Sequence, residues 1–429
     1  MSANQSTDQH DKAIEKEPLE DLTANLNIFQ QALAGSQMLF VAFGALVLMP
    51  LITGLDPNVA LFTAGIGTLI FQLITKGQVP IFLASSFAFI APITYGIQTW
   101  GIPATMSGLF AAGVVYMAMS LAVKLRGVQF IHRLLPPVVV GPVIMVIGLG
   151  LAPLAVNMAL GKTGDASLVL MEQNTAMIIS FASLITTLLV STLARGLFKL
   201  VPIFCGVLVG YTLSFFFGVL DFTPIADAAW FSMPQFVAPE WNWHAVLFMI
   251  PVAIAPAVEH VGDLLAISNV TGKDYLKKPG LHRTLLGDGM ATSAASLFGG
   301  PPNTTYSEVT GAVMLTRNFN PKIMMWAALI AIILAFVGKF GAVLQTIPGA
   351  VMGGIMMLLF GTIASVGLNT MIRNRIDLSH PRNMCIVSVT LVFGIGGMAL
   401  GIGSFSLQGV SLCGIVAILL NVLLPRHRI

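Results

Sequence analysis

The segment GGPPNTTYSEVTG, residues 299–311, is too polar and too rich in glycine and proline for a lipid-facing helix, yet it lies among strongly apolar stretches. A second segment, VPIFLASSFAFIAP at residues 79–92, is bracketed by prolines and carries two serines in its middle. Irregular backbone inside a membrane is tolerated only where protein or a water-filled cavity covers it. We therefore expect each segment to form a short extended strand followed by a half-helix.

The two segments resemble each other. Residues 85–88 align with residues 304–307 as two hydroxyls, an aromatic ring and a small residue, at an offset of about half the chain. A proline followed five positions later by glycine also recurs, at 136–141 and at 348–353. Together the matches predict two halves of seven spans each, and a repeat with an odd number of spans must be inverted. Paired broken segments in corresponding positions indicate the central site of a transporter.

Composition assigns the chain to the membrane proteins. Its 429 residues are 56% hydrophobic and 9% charged, whereas a soluble domain carries about 25% charged residues. The net charge of +3 is spread over loops rather than gathered in a patch, so we expect no nucleic-acid partner. The apolar stretches predict about fourteen spans. They lie near residues 34–53, 58–75, 80–98, 104–125, 135–157, 175–194, 199–219, 244–270, 281–298, 303–316, 322–344, 348–368, 383–400 and 408–424.

The distribution of positive charge predicts the orientation. The polar, acidic start of the chain has no apolar core typical of a signal peptide, so we expect residues 1–29 to be a cytoplasmic tail. With that tail inside, only Lys162 and Lys339 of the 21 Lys and Arg fall on the outer face. Cytoplasmic loops of membrane proteins carry such an excess of Lys and Arg. It favours an even number of spans with both termini cytoplasmic.

Four carboxylates, Glu259, Asp263, Asp288 and Glu308, lie in or beside predicted spans, where an ionised group is a candidate for function by default. Glu259 and Asp263 are four residues apart and share one face of a helix. We expect Glu259 to bind substrate and proton, with Asp263 supporting it or relaying the proton. The alternative is a buried polar network that braces helix packing. His260 points elsewhere and is expected to be structural.

Glu308 follows the second broken segment and opens a short helix at residues 307–311. Backbone N–H groups at a helix start have no partner within the helix and can bind acceptors, and the matching set follows Ser86 in the first half. Two such starts beside a carboxylate suit a flat, amide-like heterocycle. Phe87 and Tyr306 could stack on its faces, or else simply pack at a helix joint.

Other polar residues near these segments are expected to play supporting parts. Asp288 is expected to hydrogen-bond the loop ahead of Glu308, with a proton-linked role as the alternative. Asn303 and Thr304 are expected to satisfy broken backbone. The sequence has no phosphate-binding loop, no catalytic triad and no metal-ligand cluster, and its three cysteines stand apart in apolar runs. We therefore expect a transporter rather than an enzyme, without metal or cofactor, driven by an ion gradient.

Four motifs carry a family resemblance. They are SSFAF at 85–89, EHVG at 259–262, GDG at 287–289 and, at 303–317, NTTYSE, two residues, Gly, four residues and Thr-Arg. From about Gln31 onward the chain resembles the nucleobase–ascorbate transporter family, also called nucleobase:cation symporter-2, and within it the bacterial uracil permeases.

The resemblance implies fourteen spans as a 7+7 inverted repeat. It implies a core domain at 30–127 and 244–345, and a gate domain at 128–243 and 346–429 through which such proteins often dimerise. It also implies proton symport of a nucleobase, here uracil, across the plasma membrane, the inner membrane of a bacterium.

The resemblance also implies roles for individual residues. Glu259 and Glu308 would bind the N–H and carbonyl edge of the base. The backbone amides of Phe87 and Ser307 would assist, with Ser86 beside them, and Phe87 and Tyr306 would flank the ring.

Some positions depart from the family pattern. The usual glutamine–histidine pair of the first span is Gln37–Met38, uracil permeases usually have histidine at the position of Asp263, and Ser307 and Val309 stand where glycine and asparagine are usual. Glu308 favours uracil, because purine-type members tend to have glutamine there. Xanthine or uric acid stays open as the substrate. An uncoupled facilitator also stays open as the function. An anion carrier of the sulfate-transporter type is a weaker alternative, because such a carrier should have a basic central site and the centre here is acidic.

Overall fold

The computed structural model describes residues 26–127, 129, 135–402 and 405–425 and is mostly helical. Most of the tail predicted at 1–29 lies outside the described residues. The first helix begins at Ile28, within that predicted tail, because Asn27 caps it: the Asn27 side chain accepts a hydrogen bond from the N–H of Gln30 at 2.9 Å.

The helices of the first half follow the apolar stretches. They are α1 (Ile28–Val41), α2 (Phe43–Thr53), α3 (Pro57–Ile74), α4 (Ile90–Arg126), α5 (Pro137–Gly150), α6 (Ala152–Ala159), α7 (Gln173–Leu193) and α8 (Pro202–Phe216). A strand β1 (Leu83–Ser85) and a 3₁₀ turn at Phe87–Phe89 precede α4.

The second half is built from helices and three short strands. Its helices are α9 (Thr223–Asp227), α10 (Trp243–Met249), α11 (Ile254–Thr271), α12 (Leu281–Leu297), α13 (Ser307–Thr316), α14 (Pro321–Ala335), α15 (Gly338–Gln345), α16 (Gly349–Arg373), α17 (Pro381–Ile395) and α18 (Gly409–Leu423). Its strands are β2 (Asn303–Thr305), β3 (Ala399–Ile402) and β4 (Phe405–Gln408).

One pair of predicted spans forms a single kinked helix. The spans predicted at 80–98 and 104–125 run together in α4, which bends at Gly101 with φ 82°, a backbone conformation that glycine adopts readily. Within the described residues, six helical stretches are long and apolar enough to cross a membrane, and five further apolar helices are shorter. Length and composition alone therefore show a membrane protein with many spans, and the number fourteen stays a prediction.

The two proline-flanked segments meet each other. Strands β1 and β2 pair antiparallel, with Leu83 opposite Thr305 and Ser85 opposite Asn303. Side chains of the neighbouring helix α3 bind the backbone groups of β1, and of the residues before it, that do not pair with β2. Thr68 accepts a hydrogen bond from the N–H of Leu83 at 2.9 Å, and Gln72 donates to the backbone carbonyls of residues 79 and 81. The irregular backbone is thus covered by protein. An antiparallel pair of equivalent segments also obeys a local two-fold axis, as inverted halves require.

The helices pack in two groups. In one, α12 packs against α3 and α4, and α14 packs against α1 and α3. In the other, α16 packs against α5, α6 and α7, and α17 packs against α5 and α18. The assignment of these groups to a core domain and a gate domain, and their motion relative to each other, stay predictions.

Loops predicted to share a face of the membrane lie against each other. At one end the N–H of Gln235 donates to Asp56 at 2.9 Å, the N–H of Glu240 donates to the carbonyl of Pro103 at 2.9 Å, and Lys339 contacts the α9 segment. At the other end Arg382 donates to Asn421 at 2.7 Å. The assignment of either face to the cytoplasm stays a prediction.

Candidate functional site

A central cavity of about 280 Å³ lies between the two helix groups. One wall comes from β1, β2 and α11, and the opposite wall from α5 and α16. The lining residues are Ser85, Phe87, Ala88, Glu259, Thr304, Thr305 and Tyr306 on the first wall, and Ile144, Ile147, Leu359, Thr362, Ile363 and Val366 on the second. Pockets for drug-sized ligands start at about 300 Å³, so this cavity suits a small molecule.

Both strands lead directly into helix starts beside the cavity. The N–H of Ser86 donates to the carbonyl of Pro302 at 2.9 Å, which holds the start of the Phe87 turn against the second strand. Helix α13 begins at Ser307, and its first intrahelical bond joins the N–H of Thr310 to the carbonyl of Tyr306 at 3.2 Å. Amides of a first helical turn are free to bind acceptors from outside the helix. The arrangement provides backbone donors on the strand side of the cavity.

The aromatic rings of Phe87 and Tyr306 lie together at this wall, both buried, with centroids 6.2 Å apart and planes inclined by 49°. Two parallel rings that enclose a third need a gap of about 7 Å, twice the closest carbon–carbon spacing of about 3.5 Å. The tilted pair therefore has to rotate or separate before a flat ligand can stack between its members.

Glu259 and Asp263 lie on one face of α11, and both line a second cavity of about 310 Å³ that adjoins the first. Glu259 is partly buried and lines both cavities. Asp263 is buried, and its Oδ2 accepts a hydrogen bond from the hydroxyl of Thr305 at 2.8 Å. Because Thr305 lines the central cavity, this bond connects Asp263 to the central cavity through one side chain.

His260 and Asp288 form a buried contact on the far side of α11. The distance from His260 Nδ1 to Asp288 Oδ2 is 3.4 Å, and both side chains are fully buried. The ring of His260 also lies edge-on to Phe71 of α3, with centroids 6.4 Å apart. The predicted hydrogen bond from Asp288 to the loop ahead of Glu308 is wrong, because Asp288 faces α11. Thr292, one turn later, makes that link by donating to the carbonyl of Asn303 at 2.8 Å.

Asn303 and Thr304 hold different positions on β2. The side-chain amide of Asn303 donates to the carbonyl of Thr63 at 2.9 Å, which fastens the strand to α3. A Cβ at Gly67 would lie 2.3 Å from that amide nitrogen, so glycine leaves the room for it. Thr304 lines the central cavity. Asn303 is therefore structural in its contacts, whereas Thr304 is in reach of a ligand.

The structure places only some of the predicted residues at the cavity. Glu259, Phe87 and Tyr306 line the cavity. Ser86 is buried but does not line it, and the neighbouring Ser85 lines it instead. The side chains of Ser307 and Glu308 lie outside the described part of the chain, so their predicted roles remain predictions.

Sequence reasoning missed the whole wall formed by α5 and α16. Its side chains are almost all apolar, and nothing in an apolar stretch distinguishes a residue that faces a cavity from one that faces lipid. The pleat of a strand, which sends successive side chains to opposite faces, is the only signal that could have separated Ser85 from Ser86.

The central cavity has an acidic character. Among its described lining residues Glu259 is the one with an ionisable acidic side chain, and none of them is Lys, Arg or His. Within the described residues no group of His, Cys, Asp or Glu could hold a metal ion. A carboxylate acceptor, backbone donors and two aromatic rings can bind a small planar molecule that carries both N–H and carbonyl groups. They do not favour an anion.

Comparison with known proteins gives consistent matches over nearly the whole chain. A family model described as "Permease family" (Xan_ur_permease) matches residues 29–403. A probable uracil permease of Haemophilus influenzae is 62% identical over 95% of the chain and 97% of the relative. The uracil permease of Bacillus subtilis is 44% identical over 91% and 92%, and that of Escherichia coli K12 is 39% identical over 90% and 89%.

Solved structures share the architecture at low sequence identity. The transmembrane domain of the cyanobacterial bicarbonate transporter BicA superposes with a TM-score of 0.66 at 15% identity, covering 94% of this chain and 99% of that one. The murine solute carrier 26 family member A9 anion transporter gives a TM-score of 0.71 at 12% identity, covering 93% and 68%. At such identities the likeness shows a shared fold and carries no argument about the substrate.

Proposed function

Because the chain belongs to the nucleobase–ascorbate transporter family, we propose that it takes up uracil together with protons by alternating access across the inner membrane. It is a transporter rather than an enzyme, as its sequence predicts. Relatives called uracil permeases align with nearly its full length. The observation that carries the proposal is the central cavity, which combines the Glu259 carboxylate with two aromatic rings and has no basic residue among its described lining residues.

The edge of uracil matches these groups. It presents N–H donors and carbonyl acceptors in alternation, so the Glu259 carboxylate accepts from an N–H while first-turn amides near Phe87 and Ser307 donate to carbonyls. Thr304 and Ser85 lie close enough to add hydroxyl contacts, and Ser86 supports the turn. Phe87 and Tyr306 cover the ring once they have separated. Glu308 is proposed as the second carboxylate on the strength of the family motif.

Proton coupling follows from the cost of burying charge. Glu259 lies between two cavities and loses water when a base fills the central one. An uncompensated buried ion costs several kcal/mol, so a proton on Glu259 or Glu308 should load together with the base. Asp263 is proposed to pass the proton, and the buried Asp288 to support α12. The site needs no cofactor, because the proton gradient supplies the energy.

The two helix groups are proposed to be the moving parts. Residues 30–127 and 244–345 would carry the base as the core, and residues 128–243 and 346–429 would form the gate and a homodimer interface in the lipid bilayer. Fourteen spans as a 7+7 inverted repeat would place the β1–β2 junction, from spans 3 and 10, near mid-membrane, with both termini cytoplasmic.

Uptake of labelled uracil into cells lacking their own permease tests the function. We expect accumulation that a protonophore abolishes and excess unlabelled xanthine leaves intact. Accumulation that resists the protonophore would instead indicate a facilitator. Uptake of xanthine in place of uracil would show that Asp263 and Val309 outweigh Glu308 in setting the substrate.

The variant Glu259→Gln tests the site. Losing a charged hydrogen bond costs about 1.5–3 kcal/mol, so uracil should bind about 10- to 100-fold more weakly. The same change at exposed Glu240, in a loop outside the cavity, is the control and should leave binding unchanged. Unaltered affinity in Glu259→Gln would exclude this carboxylate as a ligand.

A further inference from the structure

The second cavity continues the central one toward one end of the molecule. Its described lining residues are Leu135, Pro137, Val140, Ile144, Glu259, Val261, Gly262, Asp263, Leu265, Val366, Asn369, Thr370, Arg373 and Asn374. Ile144, Glu259 and Val366 belong to both linings. From Val366 to Arg373 is seven residues of α16, or about 10 Å along a helix that rises about 1.5 Å per residue.

The far end of this cavity is the basic end of the protein. Arg373 stands in the last turn of α16, and Lys124 and Arg126 stand in the last turn of α4. Charge distribution predicts that this end faces the cytoplasm. The second cavity therefore leads from the proposed substrate site toward the side on which imported base would be released.

The wall shared by both cavities is closely packed. Helices α5 and α16 touch through glycines: a Cβ at Gly141 would lie 2.4 Å from Met371, and one at Gly367 would lie 2.5 Å from the carbonyl of Gly141. Helices packed backbone to backbone do not slide past each other easily. Ile144 and Val366 lie on these two closely packed helices and, together with Glu259, line both cavities at the point where one passes into the other.

We propose that the second cavity is the release vestibule for the base, with Ile144 and Val366 at its inner mouth and Asp263, Asn369 and Arg373 forming a transient subsite. This rests on the proposed function. On its way out, the base exchanges hydrogen bonds with the central site for hydrogen bonds with water, and these three side chains can bind it in between. Asp263 accepts from N–H groups, Arg373 donates to carbonyls and Asn369 does both. With two carboxylates and one guanidinium in its lining, the vestibule does not suit an anion.

Chemical blocking at Asn369 tests the proposal. Asn369 lines the second cavity only, and its neighbour Leu368 is similarly exposed on α16 but lines neither cavity. Asn369→Cys and Leu368→Cys are compared in a background whose native Cys205, Cys385 and Cys413 are replaced and which still takes up uracil. Each is treated with a bulky aromatic maleimide, and completeness is checked by mass spectrometry.

We expect labelling of Asn369→Cys to lower uracil uptake at least tenfold and labelling of Leu368→Cys to change it less than twofold. Saturating uracil should also slow the labelling of Asn369→Cys but not that of Leu368→Cys. Normal uptake by fully labelled Asn369→Cys overturns the vestibule, and labelling that uracil does not slow overturns the subsite. If the unmodified wild-type protein takes up no uracil, the proposed function itself is wrong and the vestibule falls with it.

Discussion

The carboxylate of Asp263 connects the two cavities, because it lines one and accepts a hydrogen bond from Thr305, which lines the other. The resemblance to uracil permeases implies histidine at this position. Aspartate keeps a group that can gain and lose a proton, but one that accepts from Thr305 rather than donating to it. The substitution thus fits the relay proposed for Asp263, and it leaves an acceptor oxygen in the second cavity for the passing base.

Asp263→Asn should therefore change pH dependence more than binding. The amide oxygen of asparagine can still accept from Thr305, so the geometry survives while the titrating group is lost. We expect uracil affinity to stay within about threefold, while the rise of uptake toward acidic pH flattens. Asp274→Asn, the same change in a loop residue, serves as the control. Identical pH profiles for wild type and Asp263→Asn would remove Asp263 from the proton route.

At this scale the sequence predicts charged residues better than apolar ones. Glu259 and Asp263 stand out because a carboxylate in an apolar helix is costly and needs a reason. Ile144 and Val366 give no such signal, since their identity suits lipid, helix packing and a cavity wall equally.

Helix α5 shows how an element fixes the shape of the site. A Cβ at Gly148 would lie 2.4 Å from the carbonyl oxygen of Phe360 and 2.7 Å from the amide nitrogen of Ala364, so α5 and α16 touch along their backbones. Gly150, two residues later on the same helix, has open space around it. The two glycines therefore separate the effect of packing from that of helix propensity.

Gly148→Ala should destabilise the protein, whereas Gly150→Ala should not. Alanine gains up to about 1 kcal/mol in helix propensity over glycine, but overpacking against backbone costs about 1–3 kcal/mol, and backbone cannot rotate away. We expect a lower thermal midpoint for purified Gly148→Ala and an unchanged or higher one for Gly150→Ala. Equal midpoints would mean that α5 and α16 do not pack this closely in the membrane.

The sequence also anticipates the elements at the site better than those elsewhere. Glycine, proline and hydroxyl residues mark residues 79–92 and 299–311 as irregular, and short strands lie in both. Near Gly101 the sequence predicts two separate spans, whereas the structure has one helix with a kink. Hydropathy cannot distinguish a kinked helix from two helices joined by a loop.

At the scale of the whole molecule, the site exists only because two helix groups face each other. Neither group alone encloses the central cavity, since one supplies the polar strand wall and the other the apolar wall. The sequence motifs belong to the polar wall, which explains why they identify the family and leave half of the cavity unpredicted.

Two matched loops allow the orientation of the whole chain to be tested. Ser167 and Ser379 are both exposed, and each donates its hydroxyl to an aspartate two residues earlier, Asp165 and Asp377. Hydrogen bonds from Thr163 and Ser167 lower the pKa of Asp165 to about 2, and hydrogen bonds from Ser379 lower the pKa of Asp377. Both aspartates are thus ionised at pH 7, so thiols introduced at the two serines have similar surroundings.

Charge distribution predicts that Ser167 lies outside and Ser379 inside. In right-side-out vesicles, a membrane-impermeant thiol reagent should label Ser167→Cys at once and Ser379→Cys only after permeabilisation. Replacing exposed Cys385 first removes a competing thiol near Ser379. The reverse pattern would invert the chain and turn the proposed vestibule into an entrance. Labelling of both thiols from outside would require an even number of crossings between them, contrary to the odd number, seven, that the predicted spans place there.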